Sequence, residues 1–168
     1  MSDEIVNRVA NSGLINLDLS DYAPTKTISK IDLKQFLFEG FILKEKEFRT
    51  ALKAFDFSAY ENKVVAVNCS SDCIIPMWAF MLITSYLNNA ASEIHFGTKN
   101  EVFQKHFLQN IDKIDASAFE GEKVIVKGCG HIPLTEDLYI AITKKLQNAV
   151  SSLMFGEACS AVPVFKKK

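Results

Sequence analysis

Residues 56–97 align with residues 115–156 at an offset of 59, without a gap, and are identical at 14 of 42 positions. Chance identity at ordinary amino-acid usage is about one position in sixteen, so the match is an internal copy. A unit that occurs twice is a duplication rather than a solenoid array, which stacks three or more repeats. The identities come in blocks. Asp56-Phe57-Ser58-Ala59-Tyr60-Glu61 falls on Asp115-Ala116-Ser117-Ala118-Phe119-Glu120, Ile83-Thr84 on Ile142-Thr143, and Phe96-Gly97 on Phe155-Gly156.

Each copy reads as strand, helix, strand. Val64-Val65-Ala66-Val67 and Val124-Ile125-Val126 are short β-branched runs, the mark of buried parallel strands. Pro76 suits a first helical turn, and Phe80, Ile83, Tyr86 and Leu87 follow at helical spacing. Thr135, Glu136 and Asp137 open the matching helix, with Leu138, Ile142, Leu146 and Ala149 along one face. Each copy closes on a strand, Glu93 to Phe96 and Ser152 to Phe155, stopped by Gly97 and Gly156. These are two βαβ units, and residues 99–110 read as a helix linking them.

The fold expected is α/β: a single domain over residues 1–168 with a mostly parallel sheet flanked by helices. Residues 1–55 form an N-terminal α/β extension, 56–114 the first repeat with its linking helix, and 115–168 the second repeat and tail. In the extension, Ile5 to Ala10 reads as a short helix and Leu14 to Leu19 as an edge strand. Lys44 to Phe55 reads as an amphipathic helix carrying Phe48, Leu52 and Phe55. Lys166 to Lys168 read as a frayed basic tail.

Charge and hydropathy exclude two classes of partner. With 19 basic and 20 acidic residues the net charge is −1, too balanced for the basic face that nucleic acid requires. The longest apolar runs, such as Ile74 to Ile83, are too short to span a bilayer. The acidic start, Met1-Ser2-Asp3-Glu4, is unlike a secretory signal, so the expected location is cytoplasmic with reduced cysteines.

The segments LFEGFILKEKEFR, VNCSSD, KGCGHIP and MFGEACSAVPVFK resemble those of a bacterial family catalogued as domain of unknown function 2480. The resemblance covers nearly the whole chain. It implies a cytosolic protein of unassigned activity and an association with iron–sulfur assembly components.

Candidate chemistry lies at the carboxyl ends of the strands, where open α/β sheets bind ligands. Cys69 closes the first strand of copy one, Cys129 follows the first strand of copy two, and Cys159 follows that copy's last strand. Ser70 aligns with Cys129, and Asp72 with His131. The first hypothesis is a zinc or iron site using Cys69, Cys129, Cys159, His131 and Asp72, with the sulfurs about 4 Å apart. Glu157 is a further carboxylate near Cys159. Neither Cys129-x-His131 nor Cys69-x₃-Cys73 is a common ligand spacing, and a cysteine is often simply a buried small hydrophobe.

The second hypothesis is catalytic, a sulfur-transfer or redox thiol at Cys129 with His131 as base or orienter. The third is a non-catalytic interaction module, whose sheet edges and helix faces suit homo-oligomers or a protein partner. Cys73, Trp78 and His95 read as structural, and His106 as a surface residue. Gly128-Cys129-Gly130 is too short for a phosphate-binding loop, so no nucleotide cofactor is expected.

Overall fold

The computed structural model describes residues 13–128 and 130–168. The expected helix over Ile5 to Ala10 lies outside the described residues. The chain is α/β, with parallel sheets flanked by helices, and its elements follow the repeat closely. Strand β1 (Leu14–Asp18) and strand β2 (Ile28–Asp32) precede helix α1 (Glu45–Ala54). The first βαβ unit is β3 (Val64–Asn68), α2 (Met77–Leu87) and β4 (Glu93–Phe96). Helix α3 (Lys99–Asp112) leads to the second, β5 (Lys123–Lys127), α4 (Glu136–Leu146) and β6 (Ser152–Phe155). A last strand, β7 (Val162–Lys166), follows. Both ends of every strand and helix in the first βαβ unit fall 59 residues before their counterparts in the second.

Two compact units divide these elements. One comprises Thr25–Lys105; the other comprises the chain up to Pro24 together with His106–Lys168. The division passes through α3. In the Thr25–Lys105 unit the sheet order is β2-β3-β4, all parallel. In the other it is β1-β5-β6-β7, parallel except for antiparallel β7. The registers match as well: Ile28↔Val64↔Glu93 corresponds to Leu14↔Lys123↔Ser152. Each strand of the N-terminal extension therefore completes a different sheet. The expected edge strand at Leu14 is observed. Strand β2 is one the sequence pattern misses, because Ser29 and Lys30 break its apolar run.

The central strands are buried on both sides. Val64, Val65 and Ala66 are fully buried, as are Val124 and Ile125. In the Thr25–Lys105 unit, Val65 and Val67 pack with Phe48 and Leu52 of α1 and Ala79, Ile83 and Leu87 of α2. Val64 and Ala66 meet Val102 of α3 across the opposite face. The stripe Ala79, Ile83, Leu87 recurs as Leu138, Ile142, Leu146, so both helices bury one i, i+4, i+8 line. Each first strand follows a short 3-10 turn, and an aspartate before that turn accepts a backbone N–H within it. Asp56 accepts from the Ser58 backbone N–H at 2.9 Å and Asp115 from that of Ser117 at 3.0 Å. The two copies share this aspartate-to-serine contact, which uses the Asp and Ser positions of the DxSA block.

Two expectations are corrected. Lys166 is no frayed tail residue, because it pairs with Ser152 across β6 and β7. His106 is buried, 9% exposed, since it shares the inward face of α3 with Val102 and stands beside fully buried Phe107. Trp78, read as structural, packs its ring edge-to-face on Phe48 at 5.9 Å and against the core of its unit, as expected.

Candidate thiol site at a parallel sheet edge

The carboxyl edge of the β2-β3-β4 sheet is built by Asp32 at the end of β2 and by the loop after β3. Asp32 ends its strand as the cap of a 3-10 turn, accepting the Lys34 backbone N–H at 3.1 Å. It also accepts the Ser70 backbone N–H at 3.0 Å, which ties the Cys69–Pro76 loop to β2. Burial alone would raise the Asp32 carboxyl, but the Ser70 and Lys34 hydrogen bonds and the Lys30 charge hold it below the usual carboxylate range.

Cys69 follows β3 directly, and the loop turns tightly, with the Cys73 N–H bonded to the Ser71 carbonyl at 3.0 Å. The turn brings the Cys69 and Cys73 sulfurs to 3.9 Å. Both thiols are free and half-buried, and both pack against the core of their unit. Cys69 Sγ lies 3.8 Å from the Ser71 carbonyl oxygen. Burial pushes the Cys69 thiol above its ordinary value; Cys73 and the Asp32 charge push the same way and outweigh a backbone hydrogen bond at Ser71. Without another partner, Cys69 is therefore a neutral thiol at pH 7. Asn68, the last residue of β3, has a buried Oδ1 with no hydrogen-bond partner among the described residues. Such an atom costs about 1–3 kcal/mol when left unsatisfied.

A second loop borders the site. Ser71 Oγ donates to the Gly40 carbonyl at 2.6 Å. Glu39 and Gly40 both take positive φ, 48° and 76°, closing a turn pinned by the Phe38↔Ile42 bridge. Exposed Phe41, Ile42 and Ile74 lie on these two loops.

The matching edge of the other unit differs at each of these positions. Gly128 stands where Cys69 does, and Ile132 where Cys73 does. A Cβ at Gly128 would collide with the Leu134 side chain and come within 2.7 Å of the Tyr139 hydroxyl oxygen. A thiol cannot occupy that position without displacing Leu134. Gly128→Ala is expected to cost about 1–3 kcal/mol through overpacking. Chemical denaturation measures it, and a change below about 0.5 kcal/mol would show that Leu134 moves aside freely.

Among the sequence candidates, Asp72 is exposed in the Cys69–Cys73 loop. His131 and Cys159 are exposed in loops of the other unit. Cys129 lies outside the described residues. Glu157 sits 3.9 Å from the Lys127 ammonium, which occupies the position equivalent to Asn68. The partner that sequence reasoning assigned to packing is Cys73. Its x₃ spacing from Cys69 was the available signal, and the tight turn at Ser71 makes that spacing work.

On β4, His95 Nε2 lies 3.4 Å from Glu93, and His95 Nδ1 lies 3.2 Å from the Lys105 ammonium. Glu93 also holds Lys26 at 2.7 Å. No helix among the described residues is long and apolar enough to cross a membrane. A family model described as "Protein of unknown function (DUF2480)" matches residues 3–167. No curated protein and no solved structure matches the chain.

Proposed function

Since the chain belongs to the DUF2480 family, whose description assigns no activity, we propose from the geometry that it binds a zinc or iron ion through Cys69 and Cys73. The observation that carries this reading is the 3.9 Å separation of the two sulfurs. Thiolates about 2.3 Å from a tetrahedral zinc stand about 3.8 Å apart, so the pair needs almost no rearrangement. Asp72, exposed between the two cysteines, is the third ligand we infer, and the last position faces solvent. An ion with an open position is of the type that handles a substrate or is itself transferred.

The duplication enters the same reading. An ancestral βαβ unit was copied, and only one copy carries the thiol pair. Thiol catalysis is less well supported at Cys69, because a raised pKa lowers the thiolate fraction.

Metal analysis of protein purified without chelator tests the proposal. Stoichiometric zinc or iron is expected, lost in Cys69→Ser and Cys73→Ser and kept in Cys159→Ser and His131→Ala. Metal-free protein whose thiols all titrate freely would overturn it. So would retention of the metal by Cys73→Ser.

A further inference from the structure

Of the four cysteines, Cys69 and Cys73 alone fall within the Thr25–Lys105 unit. A bridge inside that unit therefore has one possible pairing. Both are half-buried free thiols, with their sulfurs 3.9 Å apart. A disulfide joins its sulfurs at about 2.05 Å, so each needs to advance by only about 1 Å. A small side-chain rotation covers that distance.

The fold holds the pair at this separation from both ends. Cys69 directly follows β3, while buried Ile75 and Pro76, which caps α2, follow Cys73. Between the cysteines, the Ser70 N–H is held by Asp32 at 3.0 Å and the Ser71 hydroxyl by the Gly40 carbonyl at 2.6 Å. One carbonyl faces both cysteines: the Ser71 oxygen accepts the Cys73 N–H at 3.0 Å and lies 3.8 Å from Cys69 Sγ. Only the last of these contacts involves a sulfur, so a bridge leaves the others in place. The matching loop of the other unit has Gly128 and Ile132 at these two positions and cannot form one.

We propose that Cys69 and Cys73 are a redox pair, oxidised by a hydroperoxide to a disulfide that closes the site to metal. With hydrogen peroxide, one sulfur first attacks a peroxide oxygen. The S–O bond forms as the O–O bond breaks, and the hydroxide that leaves takes the thiol's proton as water. The other sulfur then attacks the sulfenic sulfur. The S–S bond forms, the S–O bond breaks, and the hydroxide leaves as a second water with the second thiol's proton. Two thiols lose two electrons, and the peroxide gains them. A metal ligand must be a thiolate, which neither sulfur of a disulfide is. Closure of the site rests on the metal reading above; the bridge itself does not. A bridge at a half-buried edge is within reach of a small thiol reductant, which makes the change reversible.

Metal-free full-length protein carrying Cys129→Ser and Cys159→Ser keeps this pair alone and tests the proposal. A small excess of hydrogen peroxide should remove both titratable thiols and lower the intact mass by two hydrogens, with no covalent dimer. Peptide mapping of the unsubstituted chain should find the same Cys69–Cys73 link. In the double-serine background, Cys73→Ser should stop at a sulfenic acid on Cys69, trapped by dimedone. The bridged protein should take up no zinc, and dithiothreitol should restore both thiols and zinc binding. Persistence of both thiols under peroxide would overturn the proposal, as would oxidation to sulfinic acid without a bridge. So would a bridged form that binds zinc as the reduced form does. Reduced protein that binds neither zinc nor iron yet forms the bridge would overturn the metal reading and support the redox pair.

Discussion

Phe48→Ala is expected to lower the free energy of unfolding by about 3–5 kcal/mol. Phe48 is fully buried between α1 and the sheet of its unit. Its ring meets Phe36 edge-on at 6.1 Å and Trp78 at 5.9 Å. Those neighbours cannot fill the void easily. Phe36 is held by a further edge-on contact with Phe55 at 5.1 Å, and the Arg49 guanidinium stands 5.4 Å from the Trp78 ring centre. The cost is therefore lost transfer energy plus a cavity that persists. Phe41→Ala, at a ring that is 62% exposed, should change stability by no more than about 0.5 kcal/mol. Denaturant unfolding of both variants measures the contrast. A Phe48→Ala loss below about 1 kcal/mol would mean that the aromatic cluster repacks.

Metal affinity at Cys69 and Cys73 should rise about 100-fold for each pH unit between pH 6 and 8, because each ion bound releases two thiol protons. The direction follows from the Cys69 thiol. Burial first, then Cys73 and Asp32, favour its protonated form, so the proton competes with the metal until well above neutrality. Competition titrations at several pH values measure the slope. A slope near tenfold per pH unit would mean that only one thiol is a ligand, and a slope near zero that neither is. The same shift sets the stability of the metal-free protein. A thiol whose pKa is raised on folding contributes stability that is complete below its unfolded value. That contribution is lost as the pH rises through the folded value. Alkaline conditions should therefore weaken the metal-free protein, and bound zinc should remove that weakness. Cys69→Ser should lose both effects, since serine does not titrate in this range.

The two βαβ units were legible because the sequence match between residues 56–97 and 115–156 and the hydrophobic period are both read locally. Leu138, Ile142 and Leu146 lie on one helix face by spacing alone, and Gly97 and Gly156 end their strands with φ of 131° and 109°. The site was legible only by region. The carboxyl edges of the strands follow from topology, but the pairing of Cys69 with Cys73 depends on the turn at Ser71. Cys73 sits in an apolar run, so its composition pointed to packing, and it both packs and meets a second thiol. The opposite error occurred at His106, which was expected on the surface of the linking helix and which the helix face buries.

By itself the sequence determined the α/β class, the paired βαβ units, the order of their elements and the edges at which polar residues gather. Each follows from interactions within a few residues or from comparison of the two copies. Only the tertiary structure decided that β1 and β2 go to different sheets, that β7 covers β6 and that, among the described residues, no strand pairs with the outer edge of β4. Strand partnership is set by backbone hydrogen bonds between segments distant in the chain, and no local pattern encodes the partner. The contrast between Cys69 and Gly128 has the same origin: the space a thiol fills in one unit is taken by Leu134 in the other.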